Sequence, residues 1–294
     1  MAAARATWME KPSTLVRIAK VVAIAIIVTL MLYPFAYVIL ASLTPPGETL
    51  RFGLVPTDWT LDAYRSVLAG RIIPRALMVS IGITFVGTVL SVAFTTMLAF
   101  GLTRTKDIPG SKGVLYVVLF TMLFGAGLIP NFILVKELGL LNSYWSLILP
   151  GLISAFNMLV VRNFFMQIPA ELTDSARIDG ASDGQVFLRI MLPLSKAVIA
   201  VIALFYAVGY WNAFFNALIY IQDTSKWPIQ LVLNTYAVQG SPISNIENPN
   251  AAGSVTPQAI QMAIVVLATL PILCVYPFAQ RFFTKGVLTG AIKG

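Results

Sequence analysis

Four of the twelve acidic residues, Glu171, Asp174, Asp179 and Asp183, fall in one segment between Arg162 and Lys196. The chemistry they offer is ion pairing and helix capping. Asp174 and Arg177 stand three apart, on one face of a helix, where such a pair contributes about 0.2–0.5 kcal/mol. Pro169 suits a first helical turn, and Glu171 complements the positive helix N-terminus. Ala176 and Ile178 add small apolar contacts. Gly180 predicts the stop, because glycine readily takes the left-handed conformation just past a helix end. Ser182 with Gln185 three residues on is a capping-box pattern. A second short helix is therefore expected to run to Leu192, with Pro193 before the chain turns away. The segment reads as a helix–glycine–helix elbow. Gly180 and Gly184 have the spacing of a membrane dimerisation motif, but Asp183 and polar surroundings exclude it.

A second set of residues suits contact with a polyol: Tyr206, Tyr210, Trp211, Asn212 and Asn216. Aromatic faces stack on the apolar faces of sugar rings, and amides hydrogen-bond hydroxyls. Tyr206 and Tyr210 share a helical stripe, and Asn212 and Asn216 form a neighbouring one. The same residues fit ordinary packing, with asparagines bonding between helices. Asn131 and Asn157 are weaker candidates of the same kind.

Other chemistry is excluded by composition. The chain has no His, which removes the usual general base and the commonest metal ligand. The lone Cys274 forms no internal disulfide and no cysteine-rich zinc site. No G-x-x-x-x-G-K-[ST] loop is present, so this chain is not a P-loop ATPase.

The elements that position these residues are membrane helices. Of 294 residues 58% are hydrophobic and 11% charged, where a soluble domain carries roughly 25% charged residues. Mean hydropathy is +0.84. Six apolar runs, near 21–43, 76–103, 113–135, 145–161, 197–221 and 257–280, hold no Asp, Glu, Lys or Arg. Each approaches the ~20 residues that span a bilayer. The first run is too long for a cleavable signal and reads as a retained helix.

Six spans alternate sides. With both termini inside, the inside segments hold fourteen Lys and Arg, beginning with Arg5, Lys11, Arg17 and Lys20, and the outside segments six. The positive-inside rule therefore favours cytoplasmic termini. The net charge of +8 is then a topology signal, with no nucleic-acid partner implied. The expected fold is an all-α membrane protein with six transmembrane helices and a cytoplasmic elbow between the fourth and fifth. Residues 1–20 are a cytoplasmic segment, 21–280 the membrane domain with its loop at 162–196, and 281–294 a cytoplasmic tail. Two long outside loops, 44–75 and 222–256, read as connections or as surfaces for an external partner. A short interfacial helix is expected within 59–71.

The elbow resembles the EAA signature of ABC importer permeases, written E-A-A, three residues, G, nine residues, I, one residue, L-P. The matching positions are Asp174, Ser175, Ala176, Gly180, Ile190, Leu192 and Pro193, with both gaps conserved in length. Asp174 replaces the usual Glu and Ser175 an Ala. The strings ARIDGAS at 176–182 and YPFAQRFFTKGVLTGAIKG at 276–294 resemble the carbohydrate, maltose-type branch, and its polysaccharide and oligosaccharide permeases such as bacterial alginate importers in particular.

The resemblance implies a non-catalytic permease subunit in a bacterial inner membrane. It implies a second homologous permease, two cytoplasmic ATPase subunits that bind ATP and Mg, and an external solute-binding protein. Its elbow would be a coupling helix, with Gly180 setting the bend, Ala176 and Ile178 packing in an ATPase groove, and Asp174 and Arg177 making polar contacts. Lys285, Gly286 and Gly290 match the tail that reaches the ATPase dimer interface. The uncharged spans agree, since ion-coupled carriers usually keep ionisable or carbonyl-lined sites in the membrane. A stand-alone secondary transporter or channel for a small polar solute is the alternative. A membrane-embedded transferase is opposed by the lack of His and of carboxylates in the spans.

Overall fold

The computed structural model describes residues 13–49, 56, 58–104, 108–238 and 255–291, with only the backbone described at 237, 238, 276 and 278–291. Arg5 and Lys11 lie outside these residues, and of Lys285, Gly286 and Gly290 only the helical backbone is described. Every regular element among them is helical.

The first apolar run forms α1, Thr14–Ser42, capped by the Ser13 hydroxyl. Its side chains are exposed nearly throughout, and only Ala41 and Ser42 near its end are buried. The expected interfacial helix is α2, Asp62–Ala69. The second run forms α3, Ile72–Gly101, extended by a tighter turn at Leu102–Arg104.

The third run is not one helix. It divides into α4, Ser111–Leu123, and α5, Leu128–Glu137, because the backbone leaves the helix at Phe124, which is extended, and re-enters it after Gly127 at φ +85°. The fourth run also breaks. α6, Trp145–Ile148, and a turn at Leu149–Gly151 meet α7, Ala155–Met166, at 49°. Pro150 and Ser154, which caps α7 through its hydroxyl, mark the break.

The elbow follows as α8, Ala170–Ile178, and α9, Asp183–Leu194. The fifth run becomes α10, Lys196–Trp211, and α11, Phe214–Tyr220, parted at Asn212 and Ala213. The second long loop contains a helix of its own, α12, Ile229–Leu233. The last run is α13, Pro257–Ala291, which carries Pro271 and Pro277 inside it.

Three helices, Thr14–Ser42, Ile72–Arg104 and the Pro257–Val275 part of α13, are long and apolar enough to cross a membrane. Counting each bent pair as one span raises the number to five. With 13 residues α4 is short of a crossing on its own.

α3 is the central post. It contributes Ile73 and Ala76 to one buried cluster with α2, α12 and α13, Ile83 to a second with α6, α10 and α11, and Ala99 to a third with α7, α9 and α10. Its buried face is mostly small, with Ala76, Ser80, Gly87, Ser91, Thr95, Thr96 and Ala99 beside the larger Ile73 and Ile83. Small side chains let membrane helices approach closely, where van der Waals contact and interhelical hydrogen bonds replace the hydrophobic driving force.

Candidate functional site

α10 lies against the small-residue column, and the fit is specific. A Cβ on Gly87 would stand 2.7 Å from the Tyr210 ring. The ring occupies that space, and its hydroxyl reaches Ser91 Oγ at 2.8 Å and donates to the Ile148 carbonyl at 3.3 Å. One turn away, the Tyr206 hydroxyl meets Thr95 Oγ1 at 2.7 Å and accepts the Ser154 backbone N–H at 2.8 Å. The two rings are stacked, 6.5 Å apart at 22°.

In front of them opens a cavity of about 510 Å³. Its walls are Tyr206, Tyr210 and Asn212 from α10 and its end, Phe214, Phe215 and Asn216 from α11, and Gly151, Ser154 and Asn157 from the α6–α7 break. No acid or cation lines it. The tyrosine hydroxyls are engaged with protein groups, so the amides of Asn157, Asn212 and Asn216 supply the polar edge. Asn212 donates one amide bond back to the Val208 carbonyl at 2.9 Å. Such a lining offers ring faces and amides to a polyol and no group for acid–base work. No cluster that could hold a metal occurs among the described residues.

Four of the five sequence-chosen residues meet here, and Asn157 joins them. The helix breaks between Asn212 and Asn216, so their expected common stripe does not exist; the fold of α11 brings both to the cavity instead. Trp211 points elsewhere. It is buried with Ile73, Ile260 and Ile264, and its indole N–H donates to the Ala268 carbonyl at 3.1 Å. Asn131 is exposed on α5, outside the cavity lining.

At the elbow, α8 ends in a left-handed closure. Gly180 has φ +85°; its N–H bonds to Arg177 O at 3.0 Å, and Ala181 N–H reaches back to Ala176 O at 2.9 Å, the paired bonds of a Schellman motif. Ser182 and Gln185 then form the expected capping box. The second helix differs from expectation. It continues past Leu192 through Pro193 to Leu194 and turns by 84° at Ser195 into α10. Pro193 is accommodated because Phe187–Met191 adopts a wider π turn, relieving the clash a proline makes with the carbonyl four residues back.

Asp174 and Arg177 form the expected pair at 3.6 Å. Ile178 is 86% exposed at the tip. Ala176 packs partly on the protein's own third cluster, with Leu192. Ser175 is exposed on α8, and Ile190 is half-buried beyond the bend.

Sequence reasoning missed Arg104. Its guanidinium lies 2.5 Å from Asp183 Oδ1, at the start of α9, and over the Phe100 ring at 4.8 Å. The hydrogen bond from Arg104 holds the Asp183 carboxyl below the usual carboxylate range. No local pattern links a residue at the end of α3 to one in the elbow, so nothing in the sequence signals this contact.

Break-ridden apolar helices around an uncharged aromatic–amide cavity, with an exposed elbow, define a multi-pass membrane protein. Relatives name the family. The chain is 46% identical over 264 residues, 89% of its length and 92% of the relative's, to the polygalacturonan/rhamnogalacturonan transport system permease protein YtcP of Bacillus subtilis. It is 47% identical to Protein LplC of the same organism, over 89% of each chain. A solved chain from a bacterial ABC transporter involved in the import of the acidic polysaccharide alginate superposes with a TM-score of 0.87 at 29% identity, covering 93% of this chain and 99% of that one. No protein-family model matches the sequence. The chain belongs to the permease subunits of carbohydrate ABC importers.

Proposed function

We propose that this chain is one of two permease subunits of an importer that carries an acidic oligosaccharide, of the oligouronide class, across a bacterial inner membrane. The observation that carries the reading is the uncharged cavity of tyrosine faces and asparagine amides in a chain of this family. Sugar rings rest on the aromatic faces, and amides exchange hydrogen bonds with hydroxyls. Nothing in that lining binds tightly, which suits passage. The acidic character rests on what the polygalacturonan relative and the alginate importer transport. With no cation in the cavity, substrate carboxylates would be met by Arg65, Arg71 and Arg75 around α2 and the start of α3, and by the companion permease.

The chain crosses the membrane six times in this reading. α4 with α5 makes the third crossing, α6 with α7 the fourth, and α10 with α11 the fifth. Both termini and the elbow face the cytoplasm, as the distribution of Lys and Arg favours. The elbow residues Asp174, Ser175, Ala176, Arg177, Ile178 and Gly180, supported by Ile190, Leu192 and Pro193, dock on one of two ATPase subunits. The tail residues Lys285, Gly286 and Gly290 reach the same assembly. ATP and Mg belong to those partners, and this chain is non-catalytic. An external binding protein delivers the saccharide.

Uptake of labelled trigalacturonate by cells with and without the chain tests this. Loss of uptake on deletion, with competition by unlabelled oligogalacturonides and none by maltotriose, is the expected result. Undiminished uptake without the chain, or competition by maltotriose alone, contradicts it.

A further inference from the structure

The elbow is continuous with α10 only through the 84° bend at Ser195. The side chain at that bend supplies no hydrogen bond to fix its angle. Ser195 is fully buried, yet its hydroxyl finds no hydrogen-bond partner among the described residues. Beyond that bend α9 is held to the bundle by apolar packing of Val186, Phe187 and Met191, which supplies no directional bond.

A second attachment exists at the other side of the elbow. Asp183, the first residue of α9, faces Arg104 at 2.5 Å and Arg177 Nε of α8 at 3.8 Å. The Arg104 side chain is only 16% exposed, covered by Phe100. Covering a cation with a ring face desolvates it and strengthens its attractions relative to an open surface pair. Phe100 also packs against Phe187 of α9 at 5.2 Å and edge-on to Phe165 of α7 at 6.5 Å. Arg162 at the end of α7 donates to the Leu102 carbonyl at 2.8 Å, fixing the turn that carries Arg104. From there α3 runs as one helix to Thr95, Ser91 and Gly87, which seat the two cavity tyrosines.

We infer that Arg104 is a positioning residue: by clamping Asp183 to the end of α3, it makes the elbow, α3 and α10 move as one lever, so that displacement of the elbow shifts the tyrosine wall of the cavity. The inference rests on the reading that the elbow docks on an ATPase.

The test uses the complete complex that co-purifies with the chain, carrying Cys274→Ser and Asn216→Cys. The rate at which N-ethylmaleimide modifies position 216 is compared without nucleotide and after trapping with ATP and orthovanadate. With Arg104 present, trapping is expected to change that rate severalfold. Coupling changes of this kind amount to about two- to thirtyfold. With Arg104→Gln, vanadate still arrests ATP hydrolysis, but the change at position 216 falls below about twofold. Arg104→Lys, which keeps the cation facing Asp183 and Phe100, retains the response. A trapping response in Arg104→Gln equal to that of the Arg104 complex would overturn the clamp, as would no response with Arg104 present. If Arg104→Gln fails to assemble, the near-isosteric Asp183→Asn carries the same comparison, with the same result expected and the same result fatal. Absence of any ATPase from the purified Arg104 complex would overturn the docking reading itself, and is told apart by gel before any labelling.

Discussion

The Tyr206 hydroxyl accepts the backbone N–H of Ser154 at 2.8 Å, across 52 residues of sequence. The α6–α7 break frees that N–H, and the Tyr206 phenol, itself nearly buried, takes it up at the cavity wall. One phenol thus joins α10 to the break, and through Thr95 to α3. Tyr206→Phe keeps the ring and strands the amide, at a cost of about 1–3 kcal/mol. The purified protein should melt at a lower temperature in detergent, and unchanged melting would remove Tyr206 from that role.

Gly87 and Gly82 sit on the same helix and should respond in opposite senses. A Cβ at Gly87 collides with the Tyr210 ring, whereas Gly82 has open space around it. Gly87→Ala should destabilise by about 1–3 kcal/mol, as overpacking does. Gly82→Ala should be neutral or gain up to about 1 kcal/mol from backbone restriction. Thermal unfolding of the two variants side by side checks both signs.

Asn216 and Trp211 were grouped by sequence and are separated by the fold. Asn216→Ala removes an exposed amide at the cavity, so half-saturation for saccharide should rise about two- to tenfold, the worth of one hydrogen bond, with melting unchanged. Trp211→Ala empties a buried site and abandons its bond to Ala268, costing about 3–5 kcal/mol. Its uptake per folded molecule should stay near the parent value. A stable Trp211→Ala with altered half-saturation would return the indole to the pathway.

Gly180→Pro attacks the elbow without touching a membrane helix. Proline holds φ near −65°, against +85° here, and lacks the N–H that bonds to Arg177. Uptake should vanish while the chain still reaches the membrane fraction. Normal uptake would sink the coupling role of the elbow.

Much of this was legible because it is local. The Schellman closure at Gly180, the Ser182–Gln185 box and the Asp174–Arg177 pair depend on neighbours in sequence, and each forms as its spacing predicts. Gly127 and Pro150 stand out in the apolar runs as helix punctuation, but so do Gly82 and Gly209, through which the helices continue. An apolar run carries a clear length signal, but a break such as that at Gly127 or Asn212–Ala213 is decided by which neighbouring groups receive the freed backbone. The π turn before Pro193 is hidden for the same reason. Trp211 was grouped with its neighbours by residue type, which says nothing of which helix each face meets; it lies against Ile73 and Ile264 and away from the cavity. The small-residue column of α3 was readable in principle as residues every third or fourth position. Its meaning became visible only once Tyr206 and Tyr210 lay against it. Arg104 and Asp183 share no local pattern at all.

ATP hydrolysis by the complex that co-purifies with this chain, reconstituted with its binding protein, is the most direct measurement. Binding protein loaded with oligogalacturonide should stimulate hydrolysis severalfold over the empty binding protein, and maltotriose should not. Co-purification of no ATPase, or hydrolysis indifferent to every loaded saccharide, would contradict a saccharide importer driven through the elbow.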